Sequence, residues 1–134
     1  MPSHKIVVRY TDGRIVKGHT TNFNPEAPTF HLIPADGQPS GQPVLVQMEK
    51  LKAVFFVRDF AGNPGRDDRR DFIDGQPQLG HKVEVEFEDG EVLRGFTPDY
   101  KHGMPGFFVF PADTESNTQK VFAVSRAVKS VRLL

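Results

Sequence analysis

The chain has 134 residues, 17 basic and 17 acidic side chains, five histidines and no cysteine. The missing cysteine excludes disulfides, thiolate catalysis and cysteine-ligated metals, and a net charge of zero argues against the strongly basic face of a dedicated nucleic-acid binder. No apolar run is long enough to cross a bilayer and no basic-then-apolar leader is present, so a cytoplasmic protein with no membrane partner is expected.

The sequence states one pattern twice. Sliding the chain by 77 positions lays His4–Val57 onto His81–Leu134 without a gap, and 16 of those 54 positions are identical. An internal repeat sets the organisation before any other reading. Residues 1–58 are expected to form a first unit, 59–80 a spacer and 81–134 a second unit. Units of this size bury little surface alone, so they should pack on each other or on other chains.

Within each unit the pattern is that of five strands with no room for a long helix. His4–Tyr10 and Lys82–Glu88 open the two copies. In the second, Val83, Val85 and Phe87 alternate with Glu84, Glu86 and Glu88, the period of a strand with one face in water. Those carboxylates form an ordinary exposed face and not a general acid/base pair. Asp12-Gly13 and Asp89-Gly90 follow, between alternating runs, and read as tight hairpin turns in which both residues take positive φ. A phosphate-binding loop is excluded there, because its glycine spacing, its lysine and its following helix are missing.

The second strands, Ile15–Thr20 and Val92–Thr97, are interrupted by Gly18 and Gly95. A lone strand glycine marks a bend or a close backbone approach, as in a small barrel where one long strand serves both sides of the wall. Thr29–Ile33 and Gly106–Phe110 come third, stopped by Pro34-Ala35-Asp36 and Pro111-Ala112-Asp113. Val44–Gln47 and Val121–Val124 come fourth; Leu51–Val57 and Val128–Leu134 close the units. Ala53 to Val57 is apolar on both faces, so its outer face should be covered by the other unit, the spacer or a partner. Phe55 and Phe56, with Phe60 in the spacer and Phe108 in the doubly apolar third strand, are the candidate interaction surface. In the spacer, Asn63-Pro64 reads as a helix start and Asp67–Phe72 as a short helix, which would clasp the two units.

The order of features resembles the Sm-like (SH3-like) small barrel of Sm proteins and of the bacterial Sm-like RNA chaperone. The parallel rests on VEVEFEDGEVLRGF for the first two strands and VFAVSRAVKSV for the last two. The chain is also similar to bacterial proteins in which the unit is doubled around a DFxGNP-type spacer, here DFAGNP. This resemblance implies an all-β chain of two tandem five-stranded barrels. It further implies RNA binding as one function, and pairing between neighbouring units, within one chain or in a ring of three chains. The chaperone's RNA-contacting Lys-His would fall on Met48-Glu49 and Ser125-Arg126, which leaves Arg126 as a candidate contact.

No catalytic or metal constellation is expected. The histidines are scattered, His4 and His81 are repeat equivalents, and no serine carries a nucleophile motif. Arg66, Arg69 and Arg70 form one charged cluster; its Arg-x-x-x-Arg resembles the phosphate clamp of PilZ domains, which implies a cyclic dinucleotide. The companion PilZ motif is absent, and Asp67, Asp68 and Asp71 stand ready to pair with the arginines. The expected function is therefore a non-enzymatic interaction or assembly module of bacterial regulation, with a protein partner or a second copy and no cofactor. RNA binding and cyclic-dinucleotide binding are the alternatives.

Overall fold

A computed structural model describes residues 4–35, 43–60, 80–98, 103–113 and 116–134. The helix expected over 67–72, and Arg66, Arg69 and Arg70, lie outside the described residues. The chain is all-β. Its strands are β1 (His4–Tyr10), β2 (Ile15–Thr20), β3 (Thr29–Pro34), β4 (Val44–Gln47), β5 (Leu51–Val57), β6 (His81–Phe87), β7 (Val92–Thr97), β8 (Gly106–Pro111), β9 (Thr118–Val124) and β10 (Val128–Leu133). Single 3-10 turns, Met48–Lys50 and Ser125–Ala127, carry β4 into β5 and β9 into β10.

Among the described residues, ten strands form one antiparallel sheet in the order β10-β6-β7-β8-β9-β5-β1-β2-β3-β4. Each half pairs its own strands in the same order, last strand, first, second, third, fourth. The halves are joined through β5 and β9, with Ala53 opposite Ala123, Val54 opposite Phe122 and Phe55 opposite Val121. The sheet does not close: the free side of β5 is taken by β9 of the other half and not by its own β4.

The hairpins differ from the two-residue turn read from Asp-Gly. Gly13 and Gly90 have φ of 96° and 93°, while no non-glycine residue has positive φ among the described residues. The Gly13 N–H donates to the Tyr10 carbonyl at 3.1 Å and the Tyr10 N–H to Arg14 at 2.9 Å. The loop is thus three residues long and ends in a glycine bulge. Asp12 adds a side-chain acceptor for the Arg14 N–H, and Asp89 does the same for Glu91.

Gly18 and Gly95 have ordinary negative φ, so their role is space. A Cβ at Gly18 would strike the Ile33 carbonyl and the Leu32 side chain; at Gly95 it would strike the Phe110 carbonyl and Val109. Here β2 and β7 pass close under β3 and β8, as the lone strand glycine foretells.

Two cores result. The first gathers Ile6, Val8, Phe30, Leu32, Val46 and Leu51 with Val54 and Phe56 of β5 and Phe122 and Val124 of β9. The second gathers Val83, Val85, Phe87, Phe107 and Val109 with Ala53 of β5 and Val121 and Ala123 of β9. Alternate residues of β5 and of β9 therefore serve opposite cores, which explains why both strands are apolar on both faces.

Candidate interaction edges and the junction between the halves

The β5–β9 junction is closed by aromatic side chains. Phe23 reaches in from the loop after β2 and meets Phe56 at 5.3 Å and Phe122 at 5.4 Å between ring centroids, both edge-on. Phe108 packs against Phe122 at 5.2 Å. Such offset and edge contacts add to the area they bury. The Lys120 ammonium lies over the rings of Phe56 and Phe108, 4.9 and 4.8 Å from their centroids. Its aliphatic stem can cover apolar surface while its charge stays near water.

A charged latch lies beside the aromatics. Where β1 pairs with β5, Arg9 faces Ala53 and Tyr10 faces Leu51, so Lys52 is the extra residue of a bulge. A bulge re-aims a side chain. Buried Lys52 points at the β6–β7 hairpin, where it pairs with Asp89 at 2.8 Å and with Glu91, its ammonium 4.9 Å from the Phe87 ring centroid. The Lys52 hydrogen bond, then the Glu91 N–H, hold the Asp89 carboxyl below its usual range. On the far half, hydrogen bonding to Arg94, then the charge of Arg132, lowers Glu84 in the same way.

The two ends of the sheet contrast with the junction. Among the described residues, β4 and β10 each pair on one side only. Val44 and Leu45 on β4, and Leu133 with Leu134 at the end of β10, are exposed large apolar side chains. Open strand edges are templates for further pairing.

The sequence-predicted site residues fall as follows. Phe56 is buried in the junction, and Phe55 and Phe108 are half-buried on its two faces. The outer face of the apolar run in β5 is thus covered within the chain, by β9 and the second core. Phe60 is half-buried against the first half, edge-on to His19 at 5.2 Å, with its carbonyl accepting from Lys17 at 2.9 Å.

Arg126 is exposed and lines a cleft of about 660 Å³ together with Pro28, Met48, Met104 and Pro105. Glu26 and Glu49 line the same cleft, so its electrostatics do not favour a phosphate. Asp12, Gly13, Asp89 and Gly90 make the hairpins, and Gly18 and Gly95 the close approaches. No group of three or more histidine and acidic side chains that could hold a metal occurs among the described residues, and no helix there is long and apolar enough to cross a membrane.

Sequence reasoning missed Phe23, Lys52, Lys120 and Phe122. A signal for the last existed: Val121 to Val124 is apolar on both faces, as Ala53 to Val57 is, and two such strands are natural partners in a shared wall. Lys52 was visible as an unexplained identity with Lys129.

Comparison with known proteins adds one assignment. The chain belongs to a family of unknown function, DUF6982, whose model matches residues 2–134. No curated protein and no solved structure matches.

Proposed function

We propose that this chain is a non-enzymatic interaction and assembly module, built from two Sm-like small-barrel units, which takes protein partners by adding strands at its two open sheet edges. The single observation that carries the reading is the exposure of Val44 and Leu45 on β4 and of Leu133 and Leu134 at β10. Strand addition draws affinity from backbone hydrogen bonds and specificity from alternate side chains, and these edges offer both. The Sm-like reading of each half is supported by the shared strand order, the glycine close approach in each second strand, and the 3-10 turn between the fourth and fifth strands.

The test is affinity capture with the wild-type chain and with edge-blocked variants, Leu45→Asp and Leu133→Asp, each with and without ribonuclease. Proteins held by the wild type and lost from the edge variants support the reading. Capture that survives both edge substitutions refutes it, and capture abolished by ribonuclease shifts the assignment to RNA.

A further inference from the structure

The two halves carry different charge on the same face. In β1 the alternate residues Lys5, Val7 and Arg9 point away from the first core, and across β2 they stand opposite His19, Lys17 and Ile15. The second half puts Lys82, Glu84 and Glu86 at the equivalent places in β6, opposite Phe96, Arg94 and Val92. There the charges match each other, Arg94 meeting Glu84 at 2.8 Å. In the first half β1 and β2 carry the cations Lys5, Arg9 and Lys17 and no carboxylate at all.

These cations are not spent inside the chain. Among the described residues, the ion pairs leave out Lys5, Arg9 and Lys17. Lys5 and Lys17 are exposed. Each donates to a neutral carbonyl, that of Arg58 at 3.4 Å and that of Phe60 at 2.9 Å, which leaves its positive charge unmatched. Arg9 is held in place instead: its guanidinium lies over the Phe55 ring, 5.2 Å from the centroid. A guanidinium stacked on a ring is restrained in orientation and loses little further freedom when its N–H fork takes a carboxylate.

A cavity adjoins the cations on the same face. Phe55, Val7 and Lys17 form one row across β5, β1 and β2. Phe55 also lines a cavity of about 720 Å³, together with Leu93 and Val121 of the second half. Glu84, Glu91, Asp113 and Arg94 line the same cavity. Basic ground therefore runs up to Phe55, and mostly acidic ground begins beyond it.

From this we propose that the outer face of β1 and β2, with the cavity beside Phe55, docks an extended acidic segment of a partner protein. Its carboxylates lie over Lys5, Arg9 and Lys17, and an apolar side chain at the end of the acidic run enters the cavity. The spacing fits. Alternate residues of a strand are about 7 Å apart, which is the step from Lys5 to the row of Lys17 and on to Arg9. It is also the step between side chains on one side of an extended peptide. Nucleic acid fits less well, because the Phe55 ring is covered by Arg9 and is no platform for a base. Phosphates running on past Phe55 would also meet Glu84 and Glu91, whereas a peptide can end its charge where the cations end. The face is separate from the β4 and β10 edges and does not rest on the edge reading.

Fluorescence anisotropy of a labelled peptide, Phe-Gly-Glu-Ser-Glu-Ser-Glu-Gly-Phe, tests the proposal on the whole chain; an aromatic at each end serves either chain direction. The wild type should bind it, less tightly as salt rises and screens the ion pairs. Lys17→Glu and Arg9→Glu should each weaken binding roughly fivefold, the worth of an exposed ion pair, with unchanged far-ultraviolet circular dichroism. Lys17 is exposed, and β6 already carries Glu86 at the place of Arg9. Lys129→Glu makes the same change in net charge on exposed Lys129 of β10 and should leave binding as it is. A probe with glycine in place of both phenylalanines should bind roughly tenfold more weakly, the effect of losing one buried aromatic.

A wild type that does not bind the probe overturns the proposal, and so does a loss with Lys129→Glu equal to that with Lys17→Glu. Equal binding of the probe without phenylalanine removes the cavity from the site and overturns it as stated. A single-stranded oligonucleotide that displaces the probe, and is itself lost with Lys17→Glu, gives the face to nucleic acid and overturns it too. Leu45→Asp and Leu133→Asp should leave probe binding unchanged. Loss of the probe in those variants would place the peptide at the strand edges, so this proposal would fall while the edge reading stood. Capture that ignores both edges beside intact probe binding has the opposite meaning.

Discussion

Truncating Phe56 to alanine should destabilise the chain far more than the same change at its counterpart Leu133. Phe56 is 4% exposed. Its ring meets Phe23 at 5.3 Å, His4 at 5.7 Å and Phe108 at 6.1 Å, and Lys120 lies over it. Removing a buried phenylalanine costs about 3–5 kcal/mol, the lost transfer plus the cavity left behind, and the edge-on contacts place this site in the middle of that range or above. Leu133 is 61% exposed, and truncating an exposed side chain shifts stability by about 0.5 kcal/mol or less. The gap, about 3 kcal/mol, is a factor of roughly a hundred in the unfolding equilibrium.

Urea titration followed by far-ultraviolet circular dichroism reads both values. The whole chain's stability should be about 5–15 kcal/mol, so Phe56→Ala should remain measurable. A loss under about 1 kcal/mol at Phe56, against the 3 or more expected of a buried ring, or equal losses at both positions, would refute the burial of Phe56 in the first core beside the junction.

Three further outcomes follow from the same geometry. Gly95→Ala should cost about 1–3 kcal/mol by overpacking against the Phe110 carbonyl and Val109, whereas Gly13→Ala, with nothing within 4 Å of the new Cβ, should cost only the roughly 1 kcal/mol of a positive φ; thermal melts of the two variants check the order. Thr20 donates through its hydroxyl to the His31 carbonyl at 2.8 Å, while the buried Thr97 hydroxyl has no partner among the described residues. Thr20→Val should therefore lose about 1 kcal/mol, and Thr97→Val should lose nothing or gain, by the same urea assay. Finally, Glu84 and Asp89 have carboxyls held below their usual range, so their contribution is complete above about pH 4.5, the ordinary glutamate value, and fades as pH falls through the lowered values. Melting temperature should drop on acidification below that point, and Lys52→Met should shrink the drop by removing the group that lowers Asp89.

Much of the strand layout was legible because a half-buried strand writes its period into the sequence. Val83-Glu84-Val85-Glu86-Phe87 admits one reading, and Ile15–Thr20, Val44–Gln47 and Leu51–Val57 were placed at their observed bounds. The hairpin positions were legible too, but not their form. Asp-Gly signals a sharp turn, while the hydrogen bond from the Arg14 amide to the Asp12 carboxylate accompanies a three-residue loop in which glycine alone takes the unusual φ.

What the local pattern does not carry is the partner of a strand's second edge. Ala53 to Val57 looks the same whether β4 or β9 lies beside it, so a closed unit and a shared wall could not be told apart. Lys52 was opaque for a related reason: its direction is set by a bulge, a register event that composition does not record.

The central claim, one junction filled and one like it left open, is tested most directly by residue-resolved hydrogen exchange on the wild type and on Leu45→Asp. In the variant, the amides of Val54 and Phe56 should be as protected as those of central strands, while those of Val131 and Leu133 should exchange freely. Equal exchange at both pairs would contradict the account.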